Sequence, residues 1–245
     1  MPTETLDYKG ADLKIVANTY WERELRVKPA FKEPETVAWI DRHVREGDVF
    51  YDVGANVGGY TLIAASRGAT VYAFEPEAMN FGRLVQNMEL NPDVADRIFS
   101  LPFALWDKHE LLNLHMINAH SGAAQHVIAN GASMPGYPYR QTIFTVQLDD
   151  LQTWGIPLPH HIKIDVDSYE VKVLQGAAAV LASPLMKTAM VEIDHRIEGN
   201  AALVMAMMQT GDFQEYASWR RAAHKPEHDV YNHLFVRPDW LKSLE

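Results

Sequence analysis

Asp52, Gly54 and Gly58 stand in the order Asp-x-Gly-x-x-x-Gly, and the acid Glu75 follows about twenty residues after the first glycine. Glycine at 54 permits a sharp turn and leaves bare backbone for a ligand, with helix-start N–H groups pointing at it. Glu75, followed by Pro76, offers a carboxylate to ribose hydroxyls. Asn56 occupies the place where a nicotinamide-binding loop has its second glycine, so the segment suits a ribose better than a pyrophosphate. A second set of acids comes later: Asp165 and Asp167 alternate with Lys163, and Glu192, Asp194 and His195 form another group. A carboxylate or imidazole held in a pocket can take the proton of a hydroxyl while that oxygen attacks an electrophile.

Each of these residues has two readings. Asp165 and Asp167 serve either as base, hydroxyl acceptor or metal ligand, or as caps for a helix that begins near Ser168 or Tyr169. Lys163 reads as an ion-pair partner that keeps Asp165 charged, which leaves Asp167 the better base of the two. His195 is a base or a strand-end histidine bonded to a carbonyl. Glu192, if buried, needs a substrate hydroxyl or Lys163 as partner.

The elements that must position these groups can be read from pattern. A helix is expected from Glu33 to Val44, with Pro34 at its first position. Val49–Val53 then reads as a strand, 54–59 as a turn and Tyr60–Arg67 as a helix ended by Gly68. A strand over Thr70–Phe74, a helix over Ala78–Leu90 and a strand over Ile98–Leu105 follow. After a loop-rich stretch, Ile162–Val166 is a buried strand, about Tyr169 to Leu181 a helix, and Thr188–Ile193 a strand. Ala201–Thr210 completes the helices, and Tyr231–Val236 is an antiparallel strand near the carboxyl end. Such alternation predicts one doubly wound α/β domain over residues 1–245, its mostly parallel sheet covered by helices on both faces. Residues 1–32 are an N-terminal extension, and 107–147 are inserted loops and edge strands.

The acid, the glycine turn and the acid that closes the next strand resemble the first two motifs of class I S-adenosylmethionine-dependent methyltransferases. DVFYDVGANVGGYTL (Asp48 to Leu62), FEPEAMNFGRLVQNMELN (Phe74 to Asn91) and IKIDVDSYEVKVLQGA (Ile162 to Ala177) are similar to the FkbM family in particular. Ala104 to Asp107, Gln147 to Leu151 and Val191 to Ile193 fall in the family's order. The resemblance implies a Rossmann-like fold, a cofactor bound by Asp52, Gly54, Asn56, Gly58, Glu75 and Pro76, and methyl transfer to a hydroxyl of a sugar or secondary metabolite. One departure stands out. Where the family has Glu-Gly after Lys-Ile-Asp-Val, this chain has Asp167-Ser168, which puts the choice of acceptor in doubt.

The stretch His115 to Arg140 is the expected source of acceptor contacts, with His120, Ser121, Tyr137 and Arg140 as candidates; a variable edge hairpin is the plainer reading. Tyr20, Trp21 and Arg23 either cover the cofactor or pack on the sheet, and packing is the favoured reading. Eleven histidines invite a metal, yet adjacent His160 and His161 point to opposite faces of an extended segment, and no His-Glu-x-x-His pair occurs. A divalent ion on Asp165 and Asp167 is not favoured.

Composition sets the outer limits. With 245 residues, 47% of them hydrophobic and 22% charged, the chain is globular. A net charge of −10 has the wrong sign for wrapping nucleic acid. No cysteine is present, which removes thiol nucleophiles and cysteine-ligated metal. Neither a secretory leader nor a membrane span is expected, so the chain reads as soluble and cytoplasmic, with a small-molecule or glycan hydroxyl acceptor as partner. Two other functions compete: a catalytically silent cofactor-binding partner protein, prompted by Asp167-Ser168, and an NAD-dependent oxidoreductase, weakened by the missing Gly-x-Gly-x-x-Gly.

Overall fold

The computed structural model describes residues 1–124, 126–129, 133–220 and 229–242. A short hairpin, β1 (Thr3–Thr5) with β2 (Lys14–Val16), leads through a π-helix at Glu22–Arg26 into α1 (Pro29–Lys32) and α2 (Pro34–His43). The alternating core follows: β3 (Val49–Val53), α3 (Gly59–Ser66), β4 (Thr70–Phe74), α4 (Ala78–Glu89), α5 (Pro92–Ala95) and β5 (Ile98–Leu101). Then come β6 (Ala104–Leu105), β7 (Glu110–Met116), β8 (Val127–Ile128), β9 (Tyr139–Val146) and a 3₁₀ turn at Leu148–Trp154. The second half comprises β10 (His161–Ile164), α6 (Glu170–Gln175), α7 (Ala178–Ala182), β11 (Thr188–Asp194), α8 (Asn200–Thr210), β12 (Gln214–Arg220), β13 (Val230–Val236) and α9 (Pro238–Lys242).

Seven strands form one sheet in the order β12-β13-β11-β10-β3-β4-β5. β3 pairs in parallel with both β4 and β10, and β10 in parallel with β11. The order reverses between β3 and β10, and there the strands' carboxyl ends leave a crevice. β13 runs antiparallel to β11 and β12, so the expected doubly wound, mostly parallel sheet with an antiparallel strand near the end is present. The central strands are apolar on both faces because helices cover both. Phe50, Val71, Met190 and Leu234 pack on one side with Ile40, Leu62 and Ile63, while Tyr51, Phe74, Ile162 and Val191 pack on the other with Leu174 and Val204. Among the described residues no helix is long and apolar enough to cross a membrane.

Four expectations need correction. The single strand over 98–105 is broken by Pro102 and Phe103, so β5 stays in the main sheet while β6 joins a separate four-stranded sheet, β6-β9-β7-β8. The helix from Tyr169 to Leu181 is two helices, because Gly176 passes the Trp106 carbonyl so closely that a Cβ there would lie 2.0 Å from its oxygen. The strand that carries Lys163 ends at Ile164, so Asp167 does not continue its alternation. Finally, the residues between α8 and β13 include a strand, β12, that pattern did not reveal.

Two backbone positions shape the crevice. Gly54 has φ +84°, and a Cβ on it would lie 1.9 Å from the Asp165 carbonyl oxygen. Its lack of a side chain thus serves the close approach of β3's end to β10's end. Asp167 (φ +52°) and Ser168 (φ +80°) are consecutive left-handed residues, a conformation that Asp tolerates better than most side chains and that is costly to Ser. Ser168 thus stands at a positive φ where the resemblance implies a glycine. Gly54→Ala should therefore lower unfolding free energy by at least about 2 kcal/mol, through overpacking and a strained φ. Chemical denaturation measures this. The same measurement should find Ser168→Gly neutral to mildly stabilising and Ser168→Val destabilised by about 1–2 kcal/mol.

Candidate active site

A cleft of about 990 Å³ opens at the carboxyl ends of β3, β4, β10 and β11. Gly54, Asn56, Glu75, Pro76, Tyr137, Asp165, Asp167 and Glu192, all singled out from sequence, line it. Gly54 and Asn56 are set by the turn out of β3. Asn56 is itself left-handed (φ +52°), its N–H donates to Glu75 Oε2 at 2.8 Å, and its side-chain Nδ2 donates to the Ala123 carbonyl at 2.8 Å. Glu75 Oε1 accepts the Glu77 N–H at 2.9 Å. Burial pushes the Glu75 carboxyl up to about 8, against the pull of those two N–H donors. Asp52 lies just behind the turn rather than on the cleft surface. Its Oδ2 accepts the Thr61 hydroxyl at 2.6 Å, its Oδ1 has no hydrogen-bond partner, and burial raises its pKa in spite of nearby Lys163. Gly58 also sits behind the cleft, packed so tightly that a Cβ would lie 2.3 Å from Leu84 Cδ1.

The second group of acids is organised by Lys163. That residue is only 2% exposed, donates to Asp165 Oδ2 at 2.7 Å, and places its ammonium 4.8 Å from the centre of the Tyr60 ring. Burial works against its charge, but Asp165, Glu33 and Asp52 outweigh burial and hold its pKa at about 12. Carboxylate oxygens of Glu33, Asp165 and Glu192 lie within 4.8 Å of one another. Lys163 bonds one of these acids, and Lys32 lies 2.7 Å from Glu33. Two of the three acids thus already have ammonium partners.

Asp167 accepts the His126 backbone N–H at 3.3 Å, and its loop is fastened from below by Glu170. Glu170 Oε1 accepts the N–H groups of Val166 at 3.3 Å and Ser168 at 3.1 Å. Oε2 has no hydrogen-bond partner, and burial pushes the carboxyl up to about 8. The sequence signal for Glu170 was an acid in the first turn of a helix, where negative charge is favoured. His126 also lines the cleft, and burial lowers its pKa against the fields of Asp167 and Glu77.

Several candidates fall elsewhere. His195 is exposed, and its Nε2 lies 2.9 Å from Nε2 of His233, the two rings stacked at 5.1 Å. Glu192 and Asp194 of β11 line the cleft, while His195, one residue beyond the strand, does not. His120 and Arg140 are exposed and do not line the cleft. Ser121 does not line it either. Its hydroxyl is buried and donates to Glu22 Oε1 at 2.7 Å while accepting from Arg83 at 3.1 Å. Residues 125 and 130–132 of the same stretch lie outside the described residues.

The Ser121 contacts belong to a roof that sequence reasoning missed. Glu22, fully buried, pairs with Arg83 Nε at 2.8 Å and accepts the N–H groups of Asn18 and Thr19. Arg26 Nε donates to the Gly122 carbonyl at 3.0 Å, and Asn80 accepts the Gly122 N–H at 2.8 Å. Trp21, Leu25 and Arg26 are thereby held on the cleft, and the expected packing of Tyr20 and Trp21 on the sheet is corrected: they are 64% and 36% exposed.

A model of the methyltransferase FkbM domain matches residues 52–223. The chain is 28% identical over 159 residues to the hexuronic acid methyltransferase AglP of Haloferax volcanii, covering 64% of this chain and 62% of that protein. It is 28% identical over 196 residues to the 31-O-demethyl-FK506 methyltransferase FkbM of Streptomyces tacrolimicus, covering 69% and 74%. The chain thus spans about three fifths of the first relative. Among solved structures, a methyltransferase FkbM from Methylobacillus flagellatus superposes with a TM-score of 0.52 at 18% identity, over 78% of this chain and 43% of that one. The magnesium protoporphyrin IX methyltransferase of Synechocystis, solved with its bound methyl donor, superposes at 0.52 with 12% identity, over 91% and 86%. These superpositions carry the fold, and the domain match over most of the chain carries the kinship: the protein belongs to the FkbM family of methyltransferases.

Proposed function

We propose that this protein transfers a methyl group from S-adenosylmethionine to a hydroxyl oxygen of a sugar or secondary metabolite. The observation that carries the reading is a shared space: the turn at Gly54 and Asn56 and the carboxylate of Glu75 open onto the same cleft as Asp165, Asp167 and Glu192. A nucleoside fits the first part. Glu75 offers carboxylate oxygens to ribose hydroxyls, and Phe74, Phe103 and Leu105 give an apolar slot for a flat base. Acids around the crevice suit a cationic sulfonium. The relatives' names, a hexuronic acid methyltransferase and a 31-O-demethyl-FK506 methyltransferase, support a sugar or secondary-metabolite acceptor and an oxygen as the methylated atom.

When bound, the cofactor supplies an electrophilic methyl carbon. The chain's own residues do the rest. Asp167 would take the proton of the acceptor hydroxyl as the carbon–oxygen bond forms and the methyl carbon's bond to sulfur breaks, the electron pair leaving with S-adenosylhomocysteine. Asp165, held charged by Lys163, accepts a neighbouring hydroxyl and fixes the acceptor's orientation. Glu170 keeps the loop of Asp167 in place, and Trp21 and Leu25 exclude water.

Calorimetry with S-adenosylhomocysteine tests the cofactor assignment. Wild type should bind it, and Glu75→Ala should bind roughly tenfold to a hundredfold more weakly, as expected for lost hydrogen bonds to a charged acceptor. A raised pKa means that Glu75 is largely protonated below about 8 in the free protein. Ribose hydroxyls favour the carboxylate, so affinity should rise as pH climbs towards about 8 and level off above it, with Glu75→Gln flattening the profile. Asp167→Asn should lower turnover on any accepted substrate by roughly a hundredfold or more while leaving S-adenosylhomocysteine affinity within about twofold. Steady-state rates with labelled cofactor measure it, and an unchanged rate removes Asp167 as the base.

A further inference from the structure

We propose that the acceptor is an amphiphile whose hydroxylated head reaches Asp167 while its apolar body lies along the inserted four-stranded sheet. This names the acceptor class for the methyl transfer proposed above and rests on that reading. The cleft is divided by chemistry. Its floor, at the carboxyl ends of the main sheet, carries Glu75, Asp165, Asp167, Glu170, Glu192 and Asp194. The inserted sheet contributes a different wall: Val127 and Ile128 of β8 line the cleft, and Ile117 extends the wall beyond β7. Ile117 is 54% exposed and Trp21 36%. Large apolar side chains turned towards a cleft instead of the core mark a surface that an apolar ligand covers.

Size and charge point the same way. At about 990 Å³ the cleft lies at the upper end of ligand pockets, roughly 300–1,000 Å³, enough for a nucleoside and a second molecule of substantial size. Three cations line it, and each already has a partner. Arg196 grips Asp194 at 2.8 and 2.6 Å, Lys32 lies on Glu33 at 2.7 Å, and Arg26 donates to Gly122. Arg196 and Lys32 are already paired with carboxylates, which disfavours an acceptor that carries its own carboxylate. A neutral polyol head on an apolar body satisfies both halves: hydroxyls meet the acidic floor, and the body covers Ile117, Val127 and Trp21.

The experiment uses alkyl glucosides as probes. Full-length protein saturated with S-adenosylhomocysteine is titrated with methyl, n-butyl and n-octyl β-D-glucoside below the micelle concentration, followed by calorimetry and tryptophan fluorescence. Affinity should rise along the series, approaching roughly fourfold for each methylene that becomes fully buried, so that octyl glucoside binds at least about tenfold more tightly than methyl glucoside. Ile117→Asn, at a half-exposed position where folding is safe, should remove most of that gain without weakening S-adenosylhomocysteine. Affinity indifferent to chain length, or tighter binding of free glucuronate than of octyl glucoside, overturns the proposal. Titration of S-adenosylhomocysteine alone is read separately, and its failure to bind counts against methyl transfer and not against the apolar wall.

Discussion

The ammonium of Lys163 is a full charge inside the central sheet, and much of the carboxyl edge is arranged to compensate it. Isolated, such a charge is prohibitively costly to bury. Here three carboxylates from three different parts of the chain share it: Asp165 beyond its own strand, Asp52 in the adjoining strand β3, and Glu33 at the entry to α2. Tyr60 of α3 adds the face of its ring. One cation thereby sets how the N-terminal segment, the glycine turn and the end of β10 lie relative to one another. It also fixes which carboxylates are committed and which remain for chemistry, since Asp165 is tied to the lysine and Asp167, two residues on, is carried away by a left-handed turn.

Around that centre the cleft has a rigid floor and a roof fastened at a distance. The floor consists of strand ends and the turns that leave them, where parallel pairing leaves little freedom. The roof brings together residues 18–26, α4 and residues 121–124 through the buried Glu22 carboxylate and its partner Arg83. The inserted sheet then forms a side wall whose own small core, Trp106, Leu112, Leu114 and Ile143, makes it a unit in itself. One of its attachments to the main body is Tyr169, whose hydroxyl bonds both backbone groups of Ile128 and whose ring packs on Trp106. The acceptor wall and the loop that carries Asp167 are thus linked through neighbouring residues.

What could be read from sequence follows the range of the forces involved. β3, β4, β10 and β11 were legible because a strand buried on both faces is a short β-branched or aromatic run, and because glycines mark its exit. Asn56, Glu75, Asp165, Asp167 and Glu192 were legible for the same reason: topology puts strand ends at the crevice whatever the neighbours do. The misses share a different origin. β12 reads QEYASWR, mostly exposed, with no core-facing period to betray it. Glu22 and Glu33 come from the N-terminal stretch, and only tertiary packing brings them to the site. Ser121 and His195 had suitable chemistry but pointed elsewhere, one into a buried network and the other across the sheet to His233. Side-chain direction at loops and strand ends depends on partners that lie distant in sequence.

Strand order has one more effect, on how the molecule is made. β13 comes after β12 in the chain, yet it sits inside the sheet between β12 and β11. Until it emerges, a nascent chain that has already assembled β3, β4, β5, β10 and β11 presents the apolar strand β11 with a bare edge, and β12 has nowhere to dock. Unpaired edges of this kind invite pairing with other chains. Most of the cleft's floor can therefore form before β13 docks, and until it does the apolar β11 keeps an open edge.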